Sequence, residues 1–265
     1  MMKTAIIVGL LFLSTPLIGQ VKKKITYDFS CLESSTTIWL ADWEKEIIST
    51  LGVEASFSEE VDAGVQVLDE CKKEYTFISS GSELDLLRGI LTKLKAKIQE
   101  PRGFTYKLYY IDDPMVNAFT AGGKIFFTKG MYQFCKDKHE MAAILAHEIA
   151  HNELGHIREN IAKSKTYDKY IGQRFGKFTV YVANILTLSF NQKNEAHCDM
   201  WGVDLAKAAG YQTCHTISLW KRMQTKEGEE NESITSMLST HPYSGRRADC
   251  VRNHLKTNYS IQCDE

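Results

Sequence analysis

EMAAILAHEIAH, residues 140–151, is the stretch on which the reading of this chain turns. Its last five residues are His147, Glu148, Ile149, Ala150 and His151. An α-helix turns about 100° per residue, so side chains four apart point nearly the same way. His147 and His151 therefore offer two imidazoles to one point, as a zinc ion requires. Glu148 lies one step round, where it is placed to hold the water on the metal rather than the metal itself. Zinc lowers the pKa of that water to about 7, and Glu148 is then the general base that takes its proton. The run Ala142-Ala143-Ile144-Leu145-Ala146 marks a helix buried on one side, which argues against two unrelated surface histidines. Asp137 followed by Glu140 resembles a capping box, so the helix is expected over about Lys138 to Gly155, with Met141, Ile144, Leu145 and Ile149 inward.

A hydrolytic zinc needs a third protein ligand and an open fourth position. His156 is nine residues after His147, which on a continuous helix puts it about 180° round. The pattern HExxHxxGxxH also fails, because Leu154 stands where its glycine belongs and Gly155 comes one later. Glu195 is the better third ligand. It opens a later helix with Asp199 four residues on, so both carboxylates share one face. Glu195 can bind the metal while Asp199 accepts the outer N–H of a bound histidine. An ordinary acidic helix start is the plain alternative. His197, two residues on, points elsewhere and reads as a surface histidine.

Around this centre the pattern predicts an α+β fold, mostly helical, with a small antiparallel sheet beside the HExxH helix. Helices are expected over Trp39 to Leu51, Glu59 to Glu74, Glu83 to Glu100 and Asn194 to Ala209, the last with Gly210 as its C′ residue. Strands are expected over Phe104 to Ile111, Asn117 to Thr120 and Lys124 to Thr128, the last two joined by Gly122-Gly123. Lys163 to Gly176 reads as a mobile loop, and Lys226 to Ser233 as an exposed charged one. The apolar run Phe178 to Phe190 holds only 13 residues and includes Asn184, so it reads as a buried helix and not a span.

Lys3, the apolar stretch Ala5 to Leu13 and the turn formers Ser14 to Gly19 have the layout of a secretory signal peptide over residues 1–20. An uncleaved anchor is the alternative. The expected organisation is then residues 21–58 as an N-terminal extension of unknown role and 59–265 as the zinc domain. The expected location is exported, periplasmic or secreted. Export makes disulfides available to the seven cysteines. Cys31 with Cys71 and Cys250 with Cys263 are the pairs expected, and no CxxC suggests a cysteine zinc knuckle. A formal charge of −1 argues against a nucleic-acid partner.

Several segments together resemble one family, the HtpX-like and CAAX-prenyl-endopeptidase-like group of gluzincin zinc metallopeptidases (metallopeptidase family forty-eight). Glu140 to His151 resembles its ELAAVLAHEIAH, and Glu195 to Asp199 its ExxAD, with Cys198 in place of the alanine. Asn117-Ala118-Phe119 followed by Gly122 to Ile125 looks like its edge-strand motif. Thr240-His241-Pro242 with Ser244 and Arg247 is similar to its THPPSxxR, with Tyr243 replacing the second proline. The resemblance spans roughly residues 59–255 and leaves out the transmembrane pair that several members carry. It implies one Zn2+ per chain on His147, His151 and Glu195, with Glu148 as base. It also implies an extended polypeptide substrate lying along Asn117, Ala118 and Phe119. His241 is then a near-metal residue, stabilising an oxyanion or capping the metal at rest; a turn histidine before proline is the other reading. Arg247 either pairs with a site carboxylate or is a surface arginine. The expected activity is zinc-dependent endopeptidase, with no transmembrane span in the mature chain and peripheral membrane association left open. The alternatives are a chaperone-like or latent polypeptide-binding zinc protein, and a zinc hydrolase of a non-peptide amide.

Overall fold

A computed structural model describes residues 24–32, 36–171, 190–227, 241 and 246–263. The signal-peptide stretch, all but Phe190 of the helix expected over Phe178 to Phe190, the charged loop from 228 onward and the residues flanking His241 lie outside these. Among the described residues the helices are α1 (Thr36–Thr50), α2 (Phe57–Glu74), α3 (Ser82–Lys95), α4 (Lys129–Phe134), α5 (Lys138–Glu153), α6 (His156–Ile171), α7 (Gln192–Ala208), α8 (Cys214–Glu227) and α9 (Arg247–Tyr259). The strands are β1 (Phe77–Ile78), β2 (Lys107–Ile111), β3 (Ala118–Ala121) and β4 (Lys124–Thr128), in the order β1-β2-β4-β3. No described helix is long and apolar enough to cross a membrane.

The fold is α+β and mostly helical, as expected of a zincin, but the sheet is mixed and not purely antiparallel. β3 pairs antiparallel with β4 across the Gly122-Gly123 turn, whereas β2 runs parallel to β4, with Tyr109 opposite Phe126. The chain leaves β2 by the long connection through β3, which allows β4 to return in the same direction.

Alternation decides which side chains reach which layer. Tyr110, Ala118, Ile125 and Phe127 face the main core with Leu84, Leu87, Ile144 and Leu145. Tyr109, Ile111, Phe119, Ala121 and Phe126 face Val67 and Cys71 of α2. The sheet thus lies between α2 on one side and α3 with α5 on the other. Both faces are covered, which suits strands that carry so many apolar residues.

Three sequence expectations change here. The stretch from Lys163 is helical, because α6 runs on to Ile171 and the remaining residues to 176 are outside the described set. The capping box at α5 is half formed: Asp137 accepts from the N–H groups of His139 and Glu140 at 2.7 and 3.1 Å. Glu140 instead accepts from Lys136 N–H at 2.7 Å and pairs with Arg222 at 2.6 Å. The disulfides join Cys31 to Cys250 and Cys214 to Cys263, leaving Cys71, Cys135 and Cys198 free and buried. Cys71 packs behind the sheet, far from Cys31, which sits with Leu32, Ala196 and Cys250.

The extension before residue 59 is tied to the domain and does not stand apart from it. Tyr27 donates to Asp204 at 2.9 Å, and Thr26 exchanges hydrogen bonds with Asn258 at 3.1 and 2.9 Å. Together with the Cys31–Cys250 bridge, these contacts hold residues 24–32 against α7 and α9.

α5 and α7 pack closely at Gly202. A Cβ there would meet the backbone N of His147 at 3.1 Å and the carbonyl carbon of Ala146 at 3.2 Å. Gly202→Ala is expected to force the helices apart and lower stability by about 1–3 kcal/mol. Because α7 carries Glu195 and Asp199, any metal affinity of these carboxylates should fall together with stability; chelator competition and urea unfolding measure the two.

Candidate metal centre

α5 presents His147 and His151 on one face, and α7 brings Glu195 up to them. Nε2 of His147 lies 3.0 Å from Nε2 of His151. Glu195 Oε2 is 3.4 Å from the first of these nitrogens and Oε1 is 3.4 Å from the second. His241 completes the cluster, its Nδ1 3.3 Å from Nε2 of His147 and 3.2 Å from Glu195 Oε1. All four residues are buried.

This donor set fits a metal. Four ligands about 2.0–2.1 Å from one ion stand roughly 3.3–3.4 Å apart at the corners of a tetrahedron. The separations here are 3.0 to 3.4 Å. His147 has its outer Nδ1 2.8 Å from Asp199 Oδ1, so its inner nitrogen turns a lone pair toward the others. Lone pairs converging in a dry space repel unless a cation sits among them. A proton is the other way to relieve them. Burial depresses the His147 imidazole, yet hydrogen bonds to Asp199 and Glu195 outweigh it and raise its pKa to about 9. Burial carries His151 the other way, to about 3.

Arg247 holds the carboxylates from behind. Its Nη1 lies 2.9 Å from Glu195 Oε2, and its Nε and Nη2 reach Asp199 at 2.6 and 2.8 Å. It is 1% exposed and its guanidinium carbon stacks 3.9 Å over the Trp220 ring. Burial alone would raise Glu195, but His241 and Arg247 hold it well below the usual carboxylate range. Asp199 is likewise lowered against its burial, chiefly by Arg247.

Glu148 is different. Both of its carboxylate oxygens are buried with no hydrogen-bond partner among the described residues. His241 Nε2 is 3.7 Å from one of them. Burial raises its pKa, so this carboxylate is a better proton acceptor than one in water.

Sequence reasoning overlooked Asn152. Its side chain donates to Thr120 Oγ1 at 2.7 Å and to the Glu148 carbonyl at 2.9 Å, and accepts from Gly123 N–H at 2.9 Å. It therefore sets β3 and its turn against the helix that carries the histidines. Its position beside His151 was the available signal. Ala118 and Phe119 open β3, which is the last strand in the order, and Asn117 immediately precedes it. The side chain of Ala118 faces α5, and that of Phe119 stacks on Phe126 at 4.6 Å.

Phe190 was read as part of a helix core. It stacks on the His151 ring with centroids 3.9 Å apart. A cavity of about 600 Å³ opens beside Phe190, lined also by Ile48, Ala55, Arg158 and Ala162 but by none of the four donors. His197 faces Tyr27 and Phe29, outside the cluster.

His156 is not among the four donors, though not for the reason that helix continuity suggested. Gly155 has φ of 79°, which ends α5, and α6 starts afresh at His156. The turn delivers His156 to the outer side of His151, at 3.3 Å between their Nδ1 atoms.

Comparison with known proteins agrees with this geometry. Residues 85–254 match the model of Peptidase family M48. Over 158 residues the chain is 33% identical to mitochondrial metalloendopeptidase OMA1 of Schizosaccharomyces pombe, covering 57% of this chain and 47% of that protein. It is 29% identical over 166 residues to the Saccharomyces cerevisiae OMA1, covering 58% and 48%. It is 26% identical over 165 residues to metalloprotease YcaL of Escherichia coli, covering 57% and 61%. The chain thus spans about half the length of the OMA1 relatives it matches. These names support the family as a whole and not the narrower HtpX-like and CAAX-prenyl subgroup read from the motifs. With its HExxH helix, its second helix of carboxylates and its matched span of residues 85–254, the chain belongs to Peptidase family M48.

Proposed function

We propose that this chain is a zinc-dependent endopeptidase that cleaves extended or misfolded polypeptides outside the cytoplasm, and that His241 covers the metal at rest. The observation that carries the reading is the convergence of His147, His151 and Glu195 beside Glu148, whose carboxylate has no hydrogen-bond partner among the described residues. When bound, zinc supplies Lewis-acid polarisation of a carbonyl and makes water acidic enough to react at neutral pH.

The chain's own residues do the rest. Glu148 accepts the proton of the attacking water and passes it to the leaving amine. Asp199 fixes the tautomer and rotation of His147. Arg247 keeps Glu195 and Asp199 ionised and in place. β3 has a single paired neighbour among the described residues, and its other backbone edge is suited to an extended peptide. The two disulfides support an oxidising compartment.

The closed resting form rests on His241, whose Nδ1 stands at the fourth corner of the donor set and is 2% exposed. A structural site takes four protein ligands, whereas catalysis needs one position open. Withdrawal of His241 opens that position.

Unfolded casein is the test substrate. Cleavage is expected to stop after dialysis against a chelator and return with stoichiometric zinc, but not with magnesium. Persistent cleavage by the metal-free chain would sink the reading. His241→Ala is expected to raise kcat/KM without weakening substrate binding; a fall in kcat would assign His241 to the oxyanion instead.

A further inference from the structure

His147 and His151 of α5 each turn one nitrogen to the donor cluster and the other outward. The outward Nδ1 of His147 is met by Asp199. The outward Nδ1 of His151 lies 3.3 Å from Nδ1 of His156. We propose that His156 is a positioning residue that holds His151 as Asp199 holds His147, by accepting its outer N–H. The proposal rests on the zinc reading above.

Valency supplies the direction of the bond. With Nε2 of His151 given to the metal, its one ring proton sits on Nδ1 and has to be donated. His156 then accepts with Nδ1 and keeps its own proton on Nε2. At 3% exposed, His156 faces little competition from water for that bond. The two rings meet edge to face at 5.3 Å and 72°, while Phe190 covers the flat side of His151 at 29°. One contact thus limits rotation of the His151 ring and the other limits its tilt.

Cys198 Sγ lies 3.2 Å from the same His156 nitrogen. A thiol is a weak donor, so the imidazole N–H of a metal-bound His151 takes the single lone pair in preference. A neutral acceptor also suits this side of the site. Glu148, Glu195 and Asp199 already bury three carboxyl groups here, with Arg247 the one guanidinium paired to two of them. A fourth carboxylate would add an uncompensated charge.

The test compares zinc affinity, by chelator competition, in the full chain and in His156→Leu, His156→Gln and Cys198→Ala. Loss of an outer-shell partner of this kind costs about 10–100-fold in metal affinity. His156→Leu is expected to show that loss. His156→Gln, whose side-chain oxygen still accepts, is expected to recover most of it. Cys198→Ala should bind zinc like the wild type, and a loss there would hand the role to the thiol and overturn the proposal. Long-range nitrogen–proton NMR on the zinc-loaded wild type reads the tautomers directly, whether or not the leucine variant folds. The expected spectrum has the proton on Nδ1 of His151 and none on Nδ1 of His156; a protonated His156 Nδ1 overturns the assignment. Wild type that takes up no zinc defeats the metal reading itself, whereas unchanged affinity in His156→Leu defeats this inference alone.

Discussion

Replacing Arg247 with methionine is expected to destabilise the fold by about 3–5 kcal/mol and to abolish metal binding. The side chain is 1% exposed and closes on two buried carboxylates, Glu195 at 2.9 Å and Asp199 at 2.6 Å. Methionine matches much of its volume, so the loss is electrostatic and not a cavity. Removing one partner of a buried pair leaves the other charges without compensation, which is why the effect is large. An exposed pair such as Lys72–Asp69, at 3.1 Å, should by contrast change stability by less than about 1 kcal/mol when broken. Arg247→Lys is expected to rescue little, because a point charge cannot meet two carboxylates at once as the planar guanidinium does. Lysine would also lose the stacking on Trp220. Urea unfolding with zinc titration measures both effects. A loss under about 1 kcal/mol in the methionine variant would show that Arg247 does not hold these carboxylates.

The second large effect falls on activity and spares the fold. Glu148→Gln is expected to reduce kcat on unfolded casein by about 10²–10⁴-fold, the usual contribution of a general base. Glutamine keeps the shape and cannot take the proton. Zinc content should be unchanged, because Glu148 is not one of the four converging donors. Its two carboxylate oxygens are buried with no hydrogen-bond partner among the described residues, so a neutral amide is expected to melt at or above the wild-type temperature. Activity and stability should therefore move in opposite directions in this variant. Undiminished cleavage with zinc still bound would sink the assigned mechanism.

Parts of the site that lie within one helix were legible from spacing. His147 and His151 share a turn of α5, and Glu195 and Asp199 share a turn of α7. Local periodicity gives such neighbours before any tertiary contact forms. The turn at Gly122-Gly123 and the C′ glycine at residue 210 were readable for the same reason, each having positive φ.

Most connections between distant segments were not legible from spacing, and His241 and Arg247 were brought to the site only by the family resemblance. His241 reaches His147 across 94 positions and Arg247 reaches it across 100. The parallel pairing of β2 with β4 depends on the path between them, and the alternation within each strand is the same for either direction. Cysteine partners depend on which surfaces fold together; α9 rather than α2 comes to Cys31. His156 shows the limit most clearly. Helical extrapolation assumed that α5 continued past Gly155, and a single left-handed residue redirected the chain.

By itself, then, the sequence determined that two imidazoles and a carboxylate share one helix, because residues four apart in a helix have a fixed relation that no packing is needed to create. The tertiary structure decided what surrounds them. Close approach at Gly202 sets Glu195 against His147, Arg247 neutralises the buried acids, and His241 stands at the fourth corner. Those relations arise only when apolar faces far apart in the chain are buried together, and their geometry follows from the packing of whole helices.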